Sequence, residues 1–382
     1  MDYDARHRVG GRAINFQTDP ELMPSRTRNL CVIGLLAIVV SLPTFGVAAP
    51  RSTDATDAAS PAAAVDALAL RRRALSTLMT AASHKNPEIR TNAVEALQFV
   101  PGRALPVVHR ALRDRHPAVR YAAAVTAGQL KFKSLTREIE LLLRDPDRSV
   151  QAAARYALHA IGEPVDLTPL ADLLMRPDPV LRGNVAHLLS LVGDQSAVRM
   201  LKRASASPLR RVEVEKESVV RVQIAEAIAV LGDDAAFDAL RAGAYSQFGE
   251  VRALSITAIG AVEDLRMIKA LQQMLRIDPP EFAESAEVQL AAAGALARMG
   301  NTRGTGTVMR WMRDANVAVR AQAAWVLGWH RDQGTLAWLE RQLADSEPTV
   351  RVHAAASVLR RSAPRPKDRP SPSDRIDRRR AG

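Results

Sequence analysis

Cysteine is almost missing: Cys31 is the one copy in 382 residues. A lone thiol excludes a disulfide within the chain and a cysteine-built metal cluster. Aromatic residues are scarce as well, at 4%. Few rings and abundant alanine suit closely stacked helices better than one thick core. The hydrophobic share of 47% is nevertheless ordinary for a globular protein. Catalytic signatures are thin. There is no Gly-rich phosphate loop and no Gly-x-Ser-x-Gly. The eight histidines (His7, His84, His109, His116, His159, His187, His330 and His353) form no close ligand pair on one helical face. No enzyme, cofactor or metal is therefore expected.

Charge is present in excess of one sign, with a formal net charge of +12. It is spread along the body without a long basic run, so a solvated surface explains it better than a phosphate track. The tail 362–382 holds seven basic residues, among them Arg378, Arg379 and Arg380, against three aspartates. Its Pro, Arg and Asp content predicts a disordered basic segment.

The N-terminus reads as an export signal. Arg26 and Arg28 precede the apolar run 30–40, LCVIGLLAIVV, and the small-residue exit Gly46-Val47-Ala48-Ala49 follows Pro43. Cleavage is expected after Ala48 or Ala49, with Ala48 preferred because Pro50 hinders a cut directly before it. The polar stretch before Met23 does not belong on a compact signal, so Met23 is the expected translation start. The alternative is an uncleaved anchor over residues 30–49, which is about long enough to span a bilayer. Residues 50–64, PRSTDATDAASPAAA, read as a flexible linker.

From there the chain repeats itself. Arg176 to Asp194, RPDPVLRGNVAHLLSLVGD, is one well-marked unit. Asp178 can cap a helix, Pro179 suits its first position, and Gly193 suits its left-handed end. Equivalent anchor positions run Arg90, Arg120, Gln151, Arg182, Arg221, Arg252, Gln289, Arg320 and Arg351, at intervals of 30, 31, 31, 39, 31, 37, 31 and 31. Shorter amphipathic segments, such as 134–144 and 335–343, separate them. The reading is nine helical hairpins, each a helix A, a tight turn and a helix B, stacked over residues 65–361.

The recurring pattern D-x-x-x-x-V-R-x-x-A-x-x-A-L, best seen in 113–130, 314–327 and 345–358, resembles the HEAT repeat family, particularly its short bacterial, lyase-type variety. The resemblance implies an all-α fold: a right-handed α-α superhelix with the B helices lining its concave side. Some HEAT-like enzymes, such as deoxyhypusine hydroxylase, hold iron through His-Glu dipeptides. No histidine here is followed by glutamate.

Two sets of residues stand out. The anchor arginines Arg90, Arg120, Arg182, Arg221, Arg252, Arg320 and Arg351 lie near the apolar stripe and need partners. Asp114, Asp314 and Asp345, six residues before three of them, suggest a structural ladder along the array. The second set is the helix B row opposite the stripe: Glu95, Val125, Tyr156, His187, Glu226, Thr257, Gly294, Trp325 and Ala356. On a concave face this row would meet a partner, with Tyr156, His187, Glu226, Trp325 and Trp329 as candidate contacts. The row is mixed in sign, which disfavours nucleic acid. The long intervals raise two edge insertions, 202–218 and 277–285, which are either recognition loops or tolerated additions.

The leading expectation is an exported scaffold that binds a protein or peptide without catalysis. A lyase-like enzyme or lyase-associated subunit is the alternative, and a basic nucleic-acid binder the third reading. Membrane contact is expected only if 30–49 stays uncleaved.

Overall fold

A computed structural model describes residues 61–278, 283–332 and 334–362. The segment 1–49, the linker up to residue 60 and the tail beyond residue 362 lie outside them. Within the described residues the chain forms eighteen α-helices, arranged as nine hairpins. The pairs are α1 (Pro61–Ala81) with α2 (Pro87–Ala96), α3 (Pro101–Ala111) with α4 (Pro117–Gln129), and α5 (Thr136–Leu141) with α6 (Arg148–Ile161). Next come α7 (Thr168–Leu174) with α8 (Pro179–Val192), α9 (Ala197–Ala206) with α10 (Val214–Val230), and α11 (Ala236–Gly243) with α12 (Gly249–Ala261). The last are α13 (Ile268–Met274) with α14 (Ala286–Arg298), α15 (Thr305–Trp311) with α16 (Val317–Leu327), and α17 (Gly334–Gln342) with α18 (Pro348–Ser362). Residues 61–64, read as the end of the linker, form the first turn of α1.

Local chemistry explains the boundaries. The side chains of Asn86, Asp147, Asp178 and Asn316 accept hydrogen bonds from the first free N–H groups of α2, α6, α8 and α16. His116 does the same for α4 through Nδ1, 3.3 Å from the amide of Ala118. Pro87, Pro117 and Pro179 open three of these helices, where the missing N–H costs nothing. Gly162 and Gly193 end α6 and α8 in the left-handed conformation, at φ of 88° and 78°.

The even-numbered helices are buried along almost their whole length and form an inner layer. The odd-numbered ones bury one stripe and form the outer layer. Small residues set the spacing of the inner layer. A Cβ on Gly260 of α12 would lie 2.5 Å from Ala295 Cα of α14, so these two helices touch through their backbones.

The array does not stay open. The last inner helix, α18, packs against α16 on one side and against α1 and α2 on the other. Leu70, Ala74 and Leu78 of α1 share one continuous core with Val352, Ala355 and Leu359 of α18. Outside that core, Arg73 of α1 reaches Glu340 of α17 at 3.1 Å. The nine hairpins therefore curve through a full ring, with α2, α4 and their equivalents around the centre. Among the described residues no helix is long and apolar enough to cross a membrane.

Candidate functional site

Closure of the ring changes the meaning of the helix B row. Its residues point at the centre, where side chains of other hairpins cover most of them. Glu95, Tyr156, Glu226 and Trp325 are buried, Trp325 to 2% exposure. His187 and Trp329 are half-buried. The expectation that Tyr156, His187, Glu226, Trp325 and Trp329 line an open concave groove is corrected: they pack the middle of the ring. The helical wheel called them outward because each hairpin's own stripe lies on the other side, and only closure supplies a second surface to bury against.

This interior is polar. Burial pushes the carboxyls of Glu95 and Glu226 up to about 8 and the His187 imidazole down to about 4. The Tyr156 phenol rises to about 12 by burial, and that of Tyr121 rises further through burial plus the neighbouring Glu95 and Tyr156. Glu95 Oε2, the Tyr121 hydroxyl and Glu226 Oε1 have no hydrogen-bond partner among the described residues. On the other wall Trp325 meets His353 edge-on, with centroids 6.2 Å apart, and lies 6.5 Å from the Phe99 ring.

The anchor arginines make a ladder, but its rungs run between hairpins. Arg90 binds Asp114 through Nε at 2.8 Å and Nη2 at 2.7 Å. Arg120 grips Asp145 in the same two-point manner, and Arg320 grips Asp345. The residue six before the anchor supplies its backbone carbonyl instead: Asp114 O accepts from Arg120 Nη1, and Asp314 O from Arg320 Nη1, each at 2.8 Å. Arg351 likewise bonds the carbonyl of Asp345 at 2.7 Å. Burial alone would raise the carboxyls of Asp114 and Asp345, yet Arg90 and Arg320 hold both below their ordinary value. Elsewhere the rungs change. Arg182 donates only to carbonyls, including those of Ala204 and Ser207, while Arg221 pairs with Glu217 at the surface. Arg252 reaches Glu284 at 3.1 Å, so part of the insertion 277–285 restores a rung. Residues 279–282 of that insertion lie outside the described residues.

An accessible concavity lies on the outer layer. A cleft of about 670 Å³ opens between α9, α10, α11 and the start of α12. Val222, Ala225 and Ile228 of α10 form its floor, and the exposed Ala206, Ala235, Ala239 and Ala242 form its walls. Ser205, Ser218 and Ser246 add hydroxyls. At the rim, Lys202 crosses to Asp233 at 2.5 Å. The cleft follows a seam in the core. Val220, Ile224 and Ile228 of α10 belong to the large core that runs through the ring closure, whereas Val222 and Ala225 join a separate core over α11 to α14. The sequence signal for this place was the longest interval, 39 residues before Arg221, and the insertion 202–218 forms part of its border. Among the described residues no group of three His, Cys, Asp or Glu side chains is placed to hold a metal ion.

Comparison with known proteins finds a family match in two stretches of the chain. The HEAT repeats family matches residues 104–190 and 281–360. No curated protein matches the chain. Similar solved structures include human deoxyhypusine hydroxylase in complex with glycerol, at 16% identity over 78% of this chain and 99% of that one, with a TM-score of 0.35. The complex of CpcE and CpcF of phycocyanin lyase from Nostoc sp. PCC7120 aligns at 18% identity over 66% and 94% of the two chains, with a TM-score of 0.36. Kap121p aligns at 13% identity over 87% and 45%, with a TM-score of 0.33.

Proposed function

The chain is a HEAT-repeat protein, and from that premise we propose that it is an exported scaffold that holds a segment of a partner protein in the cleft between its fifth and sixth hairpins. The observation that carries this is the cleft itself: an alanine-walled, apolar concavity of about 670 Å³, placed where the repeat interval lengthens. Sites of this size and lining take apolar groups, with a few hydroxyls to fix their orientation. Small walls admit side chains from outside, and the division of the core along α10 lets the neighbouring hairpins present separate edges. Binding without chemistry is the activity proposed. Export rests on Arg26, Arg28 and the apolar run 30–40.

The test is site-specific crosslinking in intact cells, with photoreactive residues at Ala239 in the cleft and at Ala337 on the outer face of α17, both exposed. Ala239 is expected to capture one partner, in the exported fraction, that Ala337 does not capture. Ala239→Arg should lose that partner at unchanged helicity. Identical captures at the two positions, or full binding by Ala239→Arg, would reject the cleft. Capture confined to cytosolic protein retaining residues 30–49 would reject export.

A further inference from the structure

Ring closure does to charge what it does to the core. The outer helices α15, α17, α1 and α3 stand in succession across the closure, and the 3.1 Å pair of Arg73 with Glu340 joins α1 to α17. These four helices carry seven arginines against two acids, Asp66 and Glu340. The remaining five outer helices carry six basic residues against four acids. The sequence hides this concentration, because Arg71 and Arg341 lie at opposite ends of the repeats. Helical register turns it into a surface. On α1, Leu70, Ala74 and Leu78 are buried, while Leu68, Arg71 and Arg72 are exposed neighbours at i, i+3 and i+4. On α3, Arg103 and Arg110 are exposed seven residues apart, so they share one side of the helix at about 10 Å along it. Nearby acids are engaged elsewhere: Glu340 with Arg73, and Glu138 of α5 with His109 and Arg113 at 3.3 and 3.4 Å. Arg71, Arg72, Arg103 and Arg110 form no ion pair among the described residues.

We propose that this arginine face is a peripheral docking surface for a membrane rich in anionic lipid, with the lipid phosphates as its ligand. Uncompensated arginines match a layer of phosphates, and each guanidinium fork can take two phosphate oxygens. Leu68 and Leu105, 50% and 38% exposed, lie on the same two helices. Apolar side chains gain by entering the acyl boundary of a bilayer, which a nucleic-acid backbone does not offer. Trp338 adds a half-buried indole between Arg313 and Arg341, at 4.8 and 5.4 Å from its centroid, and such rings settle at headgroup depth. The chain upstream of α1 supplies nearness. Residues 50–60 span at most about 40 Å fully extended, so on the export reading α1 is within that reach of the bilayer that takes up the apolar run 30–40. After cleavage the arginine face keeps the contact by itself. The patch centres on the closure between the ninth and first hairpins, half a ring from the cleft between the fifth and sixth, so docking leaves the cleft open.

The experiment is vesicle co-sedimentation of the chain from Ala49 onward, the product of cleavage after Ala48, whose core is complete within residues 61–362. Vesicles of phosphatidylcholine alone are compared with vesicles of equal parts phosphatidylcholine and phosphatidylglycerol. Binding is expected to the anionic vesicles only, and it should be lost at about 0.5 M salt. Arg72→Glu/Arg110→Glu should weaken it about thirtyfold or more, at about fivefold per arginine removed. Arg199→Glu/Arg203→Glu makes the same change of net charge at exposed positions of α9, across the ring, and should cost less than about threefold. All four substitutions are at exposed positions, and melting temperatures of both variants check that the fold is kept. Equal losses in the two variants would mean that net charge alone is read. Full binding by Arg72→Glu/Arg110→Glu would mean that the basic tail beyond residue 362 binds instead. Either result overturns the face, as does wild-type chain that ignores the anionic vesicles. A nucleic-acid duplex that strips the wild type from those vesicles, and fails to bind Arg72→Glu/Arg110→Glu, would replace the lipid as its partner.

Discussion

Glu95 shows how much the ring closure demands of single residues. On an isolated hairpin its carboxyl would face water, since it sits opposite the apolar stripe. In the ring it is 7% exposed, beside Tyr121, and Oε2 has no hydrogen-bond partner among the described residues. Burial raises its pKa from 4.5 to about 8. The sign of the linkage follows: the folded state favours the protonated acid. That contribution is intact below about pH 4.5 and is lost as pH rises toward 8, because the unfolded chain ionises freely while the folded one resists. Glu95→Gln keeps the shape and removes the ionisation. Urea unfolding should find it about as stable as wild type at pH 4.5 and more stable by about 1–3 kcal/mol at pH 9. Parallel stability profiles for the two proteins would refute the assignment. Nothing in the local sequence marked Glu95 as buried, because its neighbours in the centre come from other hairpins.

At the scale of elements, the eleventh position after six of the nine anchors closes the inner helix in a left-handed turn. Gly162, Gly193, Gly232 and Gly300 take it with φ between 78° and 94°. Lys131 and Glu263 occupy the same position at φ of 54° and 55°, where a Cβ is strained. Lys131→Gly should therefore stabilise the protein by up to about 1 kcal/mol, less the entropy glycine adds to the unfolded chain, and Gly162→Lys should cost about 1 kcal/mol or more. Thermal denaturation of both checks this, and a shift of the same sign in both would contradict it. The elements themselves were largely legible in the sequence. Asn86, Asp147, Asp178 and Asn316 announced their helices, because a cap and its first turn are local chemistry. The ladder was legible only in kind. Asp114 lies six residues from Arg120 along the chain, but its carboxylate serves Arg90 of the previous hairpin, and Arg120 uses Asp145 of the next. Sequence distance does not distinguish a partner in the same turn from its equivalent one repeat away.

The whole molecule was the least legible scale. Residues 65–361 were readable as nine stacked hairpins, and the family match supports that reading. Whether such an array stays open depends on a small rotation at each interface, averaging about 40° per hairpin for nine to form a ring. Contacts such as Gly260 on Ala295 narrow the inner layer and add to that rotation, and no repeat states the sum. Closure removes the free ends, with a measurable consequence. In an open array the terminal hairpins contact one neighbour each and fray first. Here α1 and α18 bury Leu70, Leu78, Val352 and Leu359 against each other, so the first and last described helices sit in the same core as α6. Native-state hydrogen exchange should show the amides of α1 and α18 opening with nearly the same free energy as those of α6. Leu78→Ala, at a fully buried position of that junction, should cost about 2–5 kcal/mol. It should also speed exchange in α1 and α18 together, since each loses the other's cover. Exchange in wild-type α18 many-fold faster than in α6, with α1 equally unprotected, would mean that the ring is open in solution. The polar centre around Glu95, Glu226 and Arg360 would then be a solvated concave face.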